Sequence, residues 1–307
     1  MLFAHPRRFP PKDRAVVVTG ASSGLGRECA LHLDQLGFRV FAGVRRSDDA
    51  LALTAASTSG RLRPLKLDVT REDLIWKAAA RVSEETGDDG LWGLVNNAGM
   101  CLSAPMECLS PDALRYQMET NLIGHFAVTR AFLPQIRKAE GRIVNVSSGL
   151  GRIASPYLGA YAATQFAKEG LSDALRRELR PFGVAVVVVQ PGAISTPIWG
   201  KVREAAHDIL SGASQEVTDL YRPSFLNFLE RNERRARSST THPESFANAV
   251  AHALTAGRPR TRYRVGRDAR ATSVLARLLP DAVLDAAFDA VVATRRERAR
   301  ESVAAQS

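Results

Sequence analysis

Long apolar runs are missing from this chain of 307 residues. No stretch approaches the roughly 18 consecutive apolar residues that a membrane-spanning helix needs. Residues 1–14 are basic and rich in proline, and they lack the apolar centre of a secretory signal peptide. The sequence therefore predicts a cytoplasmic protein without stable insertion into a membrane.

Cysteine is scarce as well. Cys29, Cys101 and Cys108 are odd in number, and their spacing matches neither a metal-binding motif nor a disulfide framework. We therefore expect reduced thiols and no bound metal.

Lysine supplies only 6 of the 42 basic residues, although the net charge is +10. Most of the excess lies in residues 231–300, which hold 15 arginines, no lysine and seven acidic residues. No recognised nucleic-acid motif and no interleaved aromatic residues accompany this charge. The sequence thus predicts no nucleic-acid partner.

A glycine-rich turn follows the first apolar run of the chain. Ala15 to Val18 read as a buried strand, and the segment from Glu28 to Leu36 has helical spacing. Glycines in such a strand-to-helix turn let the backbone approach a pyrophosphate, which the helix N-terminus attracts. A tight connection with no ligand would use glycine equally well. The residues of this turn that we expect to contact a dinucleotide are Gly20, Ser22, Ser23, Gly24, Leu25 and Gly26.

The second predicted strand, Arg39 to Val44, ends in Arg45 and Arg46. In dinucleotide folds an acidic residue here binds the 2′-hydroxyl of the adenosine ribose, whereas arginine accommodates a 2′-phosphate. Asp48 and Asp49 come later and are predicted to cap the next helix. The pattern favours NADP(H) over NAD(H), the alternative being two solvated surface arginines.

The chemistry of the chain is concentrated between Arg142 and Leu171. A short buried strand ends at Ser147 and Ser148, which places two hydroxyls at a carboxyl end, where open α/β sheets bind ligands. A helix is predicted to begin near Tyr161, and the residue that shares its face one turn later is Gln165.

These residues resemble the short-chain dehydrogenase/reductase family, whose signature is a serine followed by Tyr-x-x-x-Lys. The resemblance implies that Tyr161 is the acid/base and that Ser148 holds the substrate oxygen. The lysine that lowers the tyrosine pKa is replaced by Gln165, whose amide could still hydrogen-bond the nicotinamide ribose. Lys168 lies ~4.5 Å further along the helix axis and about 60° around it from that position, so its direct use as a substitute is disfavoured.

Other motifs of the family occur in the same order over residues 15–196. The resemblance implies that Asn121 distorts its helix and anchors a water, although an ordinary mid-helix asparagine is an alternative. It also implies three groups of cofactor contacts: one at the adenine, one beneath the cofactor and one at the nicotinamide carboxamide. The residues are Asp68, Val69, Asn97, Ala98, Gly99, Pro191, Gly192, Ile194 and Thr196. The turn at Asn97 could equally be purely structural.

The resemblance, which is strongest to the retinol and hydroxysteroid branch, implies a Rossmann-type α/β fold, a doubly wound parallel sheet with helices on both faces. We expect one domain over residues 1–307, in which 1–14 is an extension, 197–242 closes the substrate pocket and 270–300 forms C-terminal helices. The helices from Pro111 and Tyr161 imply a homodimer or homotetramer.

Three functions fit these residues. The first is an NADP(H)-dependent oxidoreductase that interconverts a lipophilic secondary alcohol and a ketone, or an aldehyde. The second is non-redox chemistry, such as a cyclisation or isomerisation, with a neutral Tyr161 as acid. The third is a dinucleotide-binding sensor or scaffold, which the retention of Ser148, Tyr161 and Asn121 disfavours, because a binder needs no proton chemistry.

Overall fold

One parallel sheet organises the computed structural model, which describes residues 9–292. In the described part of the chain the sheet has seven strands in the order β3-β2-β1-β4-β5-β6-β7. The strands are β1 Ala15–Val18, β2 Arg39–Val44, β3 Leu62–Lys66, β4 Gly93–Asn96, β5 Arg142–Val146, β6 Ala185–Pro191 and β7 Arg262–Val265. The expected doubly wound parallel sheet is confirmed.

Helices cover both faces of this sheet. They are α1 Gly24–Gln35, α2 Ser47–Ala56, α3 Glu72–Thr86, α4 Pro111–Met118, α5 Gly124–Lys138, α6 Gly159–Leu179, α7 Ile198–Gly212, α8 Gln215–Arg237, α9 Pro243–Thr255, α10 Arg267–Leu278 and α11 Asp281–Val292. A π-helical turn, Glu119–Ile123, joins α4 to α5.

The apolar strands explain why helices lie on both faces. Residues of β1, β4 and β5 are buried throughout, as expected for strands of a parallel sheet. One apolar layer packs α1 and α9 against the sheet through Leu33 and Phe246, and the other packs α3 and α5 through Ile75 and Phe132.

The winding direction of the sheet reverses between β1 and β4. The chain proceeds outward from β1 to β2 and β3, then returns to place β4 beside β1. Loops on the two sides of this reversal diverge and leave a crevice at the carboxyl ends of the strands, which is where such sheets bind dinucleotides. The motifs predicted from the sequence lie at this edge.

Two boundaries differ from the sequence-based expectation. The apolar run at residues 91–95 predicts a strand from Leu91. Strand β4 begins instead at Gly93, because Leu91 and Trp92 are buried by packing while strand pairing starts where Gly93 meets Val16. Asp48 and Asp49 do not cap α2, since Arg46 occupies the N-cap position and both carboxylates lie in the first turn.

The described part of the N-terminal extension packs against the domain. At the N-terminal extension, the Phe9 N–H donates to the Thr255 carbonyl, and the Arg14 guanidinium lies 3.7 Å from the centre of the Trp92 ring. Residues 1–8 and 293–307 lie outside the described residues, so the C-terminal helices predicted over residues 270–300 are described only as far as α10 and α11. Among the helices that are described, none combines the length and the apolar character needed to cross a bilayer.

Candidate active site

The glycine-rich turn after β1 is packed directly against the turn after β4. Gly20 has a φ of +66°, and a Cβ atom there would lie 2.7 Å from Ala98 Cα. A Cβ atom on Gly26 would overlap the Gly20 carbonyl and the Asn97 amide. The two glycines are therefore required by close backbone approach.

Polar bonds hold these two turns together. The Thr19 hydroxyl accepts the N–H groups of Asn97 and Ala98, both at 2.9 Å. The Asn97 side-chain amide donates to the Thr19 carbonyl at 3.0 Å and to the Gly20 carbonyl at 3.4 Å. The Asn97 side chain therefore has a structural role, because it ties its own turn to the glycine-rich turn.

The N-terminus of α1 has the features of a pyrophosphate site. Its N-cap residue, Ser23, makes no side-chain capping bond, so the first N–H groups of the helix, which begins at Gly24, are open to an anion. Gly24 has a φ of +54°, and a Cβ atom there would lie 3.5 Å from the Thr196 side chain. Ser22 and Leu25 are half-buried in the same turn. The residues present fit a dinucleotide.

The predicted adenosine end of the site is more exposed. Arg45 and Arg46 follow β2 with exposed side chains, and Arg46 lies 3.7 Å from Asp48 in a solvent-exposed ion pair. Asp68 accepts both the N–H (3.0 Å) and the hydroxyl (2.8 Å) of Thr70, which fixes the turn after β3. Val69 beside it is buried.

Asn121 lies in the π-helical turn and holds the loop after Gly99. Its Oδ1 accepts the Met100 N–H at 2.9 Å, and its Nδ2 donates to the Met100 carbonyl at 2.8 Å. Gln117, which belongs to no motif in the sequence, also binds this loop: it accepts the Leu102 N–H at 2.8 Å and donates to the Met100 carbonyl at 3.0 Å. The signal available in the sequence was the pair of amide residues four positions apart, a spacing that puts both on one helix face.

Ser148 and Tyr161 meet at the carboxyl end of β5 and the N-terminal turn of α6. Burial of the phenol raises the pKa of Tyr161, the neighbouring Cys101 thiol raises it further, and a hydrogen bond with Ser148 acts in the opposite direction. Burial also raises the pKa of Cys101 to about 12, so this thiol is neutral at physiological pH. At physiological pH Tyr161 is therefore a neutral acid that lies beside the Ser148 hydroxyl.

Gln165 occupies the position of the expected lysine, and its side chain is buried, with 1% exposed. Its Nε2 lies 3.3 Å from the Thr164 hydroxyl, which also accepts from Asn121 at 3.3 Å. Its Oε1 has no hydrogen-bond partner among the described residues. A buried acceptor without a partner fits a ligand hydroxyl, as a nicotinamide ribose would supply.

Two side chains from later in the chain hold the segment that follows β6. The Asp268 carboxylate accepts the Ala193 N–H at 2.7 Å, and the Ser239 hydroxyl donates to the Ala193 carbonyl at 2.6 Å. A Cβ atom on Gly192 would overlap Asp268, and Pro191 and Ile194 are buried on either side. Asp268 and Ser239 come from regions without a recognisable motif, so the sequence did not reveal them.

The fold and this site together define an oxidoreductase that uses a nicotinamide dinucleotide. The chain belongs to the short-chain dehydrogenase/reductase family, because the short chain dehydrogenase family model matches residues 14–207.

Similar proteins agree with this assignment. The chain is 42% identical over 284 residues to 3-amino-tetrahydro-pyrrolizinone reductase of Xenorhabdus hominickii, covering 92% of this chain and 98% of that protein. It is 40% identical over 279 residues to 17-beta-hydroxysteroid dehydrogenase type 6 of Bos taurus, covering 89% and 87%. A short-chain dehydrogenase structure from Streptomyces avermitilis superposes with a TM-score of 0.73 at 30% identity, covering 90% and 94%. The resemblance to the retinol and hydroxysteroid branch is confirmed.

Proposed function

We propose that the protein is an NADP(H)-dependent oxidoreductase that interconverts a lipophilic secondary alcohol and a ketone, or an aldehyde. The observation that carries this proposal is the Ser148 hydroxyl beside the buried Tyr161 phenol, whose pKa it lowers, at the edge of the dinucleotide crevice. The bound nicotinamide would supply the hydride acceptor or donor.

The roles of the two side chains follow from their chemistry. In the oxidation direction Tyr161 accepts the alcohol proton, and in the reduction direction it donates a proton to the carbonyl oxygen. Ser148 binds that oxygen and orients it toward the phenol. Asn121 and Gln117 position the loop that brings Cys101 beside the phenol, which keeps the surroundings of the reacting oxygen apolar.

The residues that would hold the cofactor lie in three places. The open N-terminus of α1 would bind the pyrophosphate, and Arg45 and Arg46 would pair with a 2′-phosphate. Gln165 would hydrogen-bond the nicotinamide ribose through its unpartnered oxygen. The arginines, with no acidic residue at the end of β2, support NADP(H) over NAD(H).

The substrate side is apolar and aromatic. An apolar cluster joins α7 and α8 to the loop before Tyr161, and the Tyr157 ring lies 5.2 Å from both Phe225 and Phe228. The Tyr157 hydroxyl bonds Ser224 of α8 at 2.9 Å. These contacts support residues 197–242 as the cover of a lipophilic substrate. The names of two relatives refer to a hydroxysteroid and a pyrrolizinone, both ring systems.

Self-association is part of the proposal. Helices α4, α5 and α6 and the π-helical turn before α5 carry large apolar side chains that are about half exposed in the single chain. They are Tyr116, Ile123, Phe126 and Phe166. A two-fold pairing of these helices would bury them, as expected for a homodimer or homotetramer.

The test is a pair of binding titrations, with NADPH and with NADH, followed by turnover of ring ketones and secondary alcohols that include hydroxysteroids. Ser148→Ala and Tyr161→Phe should bind NADPH as the wild type does and lose turnover, whereas Ser83→Ala, at an exposed serine of α3, should keep both. If NADPH binds but nothing in the panel is oxidised or reduced, the redox function is refuted. Non-redox chemistry with a neutral Tyr161 as acid then replaces it.

A further inference from the structure

Lys168 is a buried cation that has no role in the reaction as proposed above. Its side chain is 4% exposed, and its Nζ donates to the Val146 carbonyl at 2.9 Å. Val146 is the last residue of β5, two residues before Ser148. The ammonium is thus held beneath the strand end that presents the catalytic serine.

Helix geometry places Lys168 on the same face as Tyr161. At about 100° per residue, Gln165 lies about 40° to one side of Tyr161, and Lys168, seven residues on, lies about 20° to the other. The Cα atoms of Lys168 and Tyr161 are separated by about 10.5 Å along the axis, and helical side chains lean toward the N-terminus. The lysine chain therefore extends from below toward the site.

The groups around Lys168 leave its charge without a dedicated partner. Glu169 follows it on α6, but its carboxylate binds Gln190 and Arg262 at 2.8 Å and lies 3.4 Å from Arg152. His125 faces it from α5, with Nε2 on the Ala98 carbonyl and a lowered pKa that reflects burial first and the lysine charge second. Within the described residues Lys168 forms no ion pair, so its burial is unfavourable unless an anion forms nearby.

The anion of the proposed reaction forms on the same helix face. We propose that Lys168 is a positioning residue whose ammonium, acting from one turn below Gln165, stabilises the phenolate of Tyr161 and so replaces the charge that the family carries at residue 165. The inference rests on the proposed redox function. Lys168 touches neither substrate nor cofactor, and the alcohol proton still passes to Tyr161 alone.

The protonation state of Lys168 suits this role. Burial lowers its pKa to about 7, and Glu169 opposes that shift. Loss of one proton from the Tyr161 and Lys168 pair can leave either a neutral pair or a phenolate with an ammonium, so the pair titrates as a unit. The reactive form becomes available as pH rises through the first titration of the pair and then reaches a plateau.

The first experiment needs no turnover. Carbon-13 NMR of labelled lysine side chains resolves six residues, and the signal missing from Lys168→Met identifies Lys168. We expect it to titrate near neutral pH in the free protein and about one unit higher with saturating NADPH, because an anionic ligand at the site favours the ammonium. An unchanged titration with NADPH bound would show that the lysine does not sense the site and would overturn the inference.

The second experiment follows alcohol oxidation against pH. With the ~10.5 Å helix rise between the two residues taken as the charge separation, an ammonium shifts the phenol pKa by about one unit. Lys168→Met should therefore lower kcat near pH 7 about tenfold and lose the plateau. The KM for the cofactor should change little. Gln165→Lys in the Lys168→Met background returns a charge at the family position and should restore the plateau, whereas a lysine needed only for folding would not be rescued in this way.

Exposed Lys77→Met is the matched control and should leave the profile unchanged. A Lys168→Met variant that folds, binds NADPH and keeps the wild-type pH profile refutes the role of Lys168 while the proposed function stands. A wild type that binds NADPH but turns over no substrate refutes the proposed function, and the NMR titration then decides separately whether Lys168 is coupled to the site.

Discussion

The cofactor preference can be tested at Arg45 and Arg46. Both side chains are exposed at the end of β2, and the Arg46 side chain has 77% of its surface accessible. The double change Arg45→Ala with Arg46→Ala removes both cations that we assign to the 2′-phosphate and leaves the backbone of the turn in place. It should weaken NADPH binding and leave NADH binding almost unchanged.

The size of the effect follows from the exposure. A hydrogen bond to a charged group contributes about 1.5–3 kcal/mol, and solvent at these sites reduces that to ~1–1.5 kcal/mol for each arginine. Removing both should cost ~2–3 kcal/mol, which corresponds to a Kd for NADPH raised ~30- to 150-fold. The exposed ion pair of Arg46 with Asp48 contributes under ~1 kcal/mol, so Asp48→Asn should tighten NADPH binding only a few-fold.

Fluorescence titration of both cofactors at two salt concentrations measures these constants. Arg177→Ala is the matched control, because Arg177 is exposed near the C-terminal end of α6, at the opposite edge of the sheet. The wild-type preference should also shrink at high salt, since exposed charges are screened. Equal affinities of the wild type for the two cofactors, or a double variant with the wild-type Kd for NADPH, would falsify the assignment.

Three further changes test other parts of the structure. Phe126→Glu places a charge on a half-exposed apolar helix face and should convert the assembly to monomers in light scattering; a wild type that is already monomeric at micromolar concentration would contradict the proposed pairing. Gly26→Ala should lower Tm by about 2–10 °C through steric overlap and abolish NADPH binding, while Gly170→Ala, which has open space, should do neither. Tyr157→Phe removes the bond to Ser224 and should raise the substrate KM about fivefold at nearly constant kcat, and an unchanged KM would exclude that bond from substrate closure.

Local patterns were sufficient for the parts of the fold that depend on local chemistry. The apolar run at β2 has the predicted bounds, and Ser110 caps α4 through the Ala113 N–H as its position before Pro111 indicates. The glycine turn could be predicted because close backbone approach tolerates no side chain at Gly20 or Gly26.

The remaining features depend on contacts between distant parts of the chain. Thr196 meets Gly24, and Asp268 meets Ala193, only after the sheet has formed. The helical offset of Lys168 from residue 165 disfavours it as a substitute, whereas the direction of its side chain is set by the Val146 carbonyl. No periodicity in a single sequence specifies which carbonyl a long side chain reaches.

The bonds between Thr19 and Asn97 affect how a cofactor would bind. They join the loops after two adjacent strands, so the glycine-rich turn after β1 is already ordered by the chain itself. A dinucleotide that enters this crevice orders little backbone, and little conformational entropy opposes its association. The same bonds couple the two loops, so a displacement of the glycine-rich turn after β1 would also displace the Asn97 turn. His125 and the Asn121 loop are packed against the Asn97 turn.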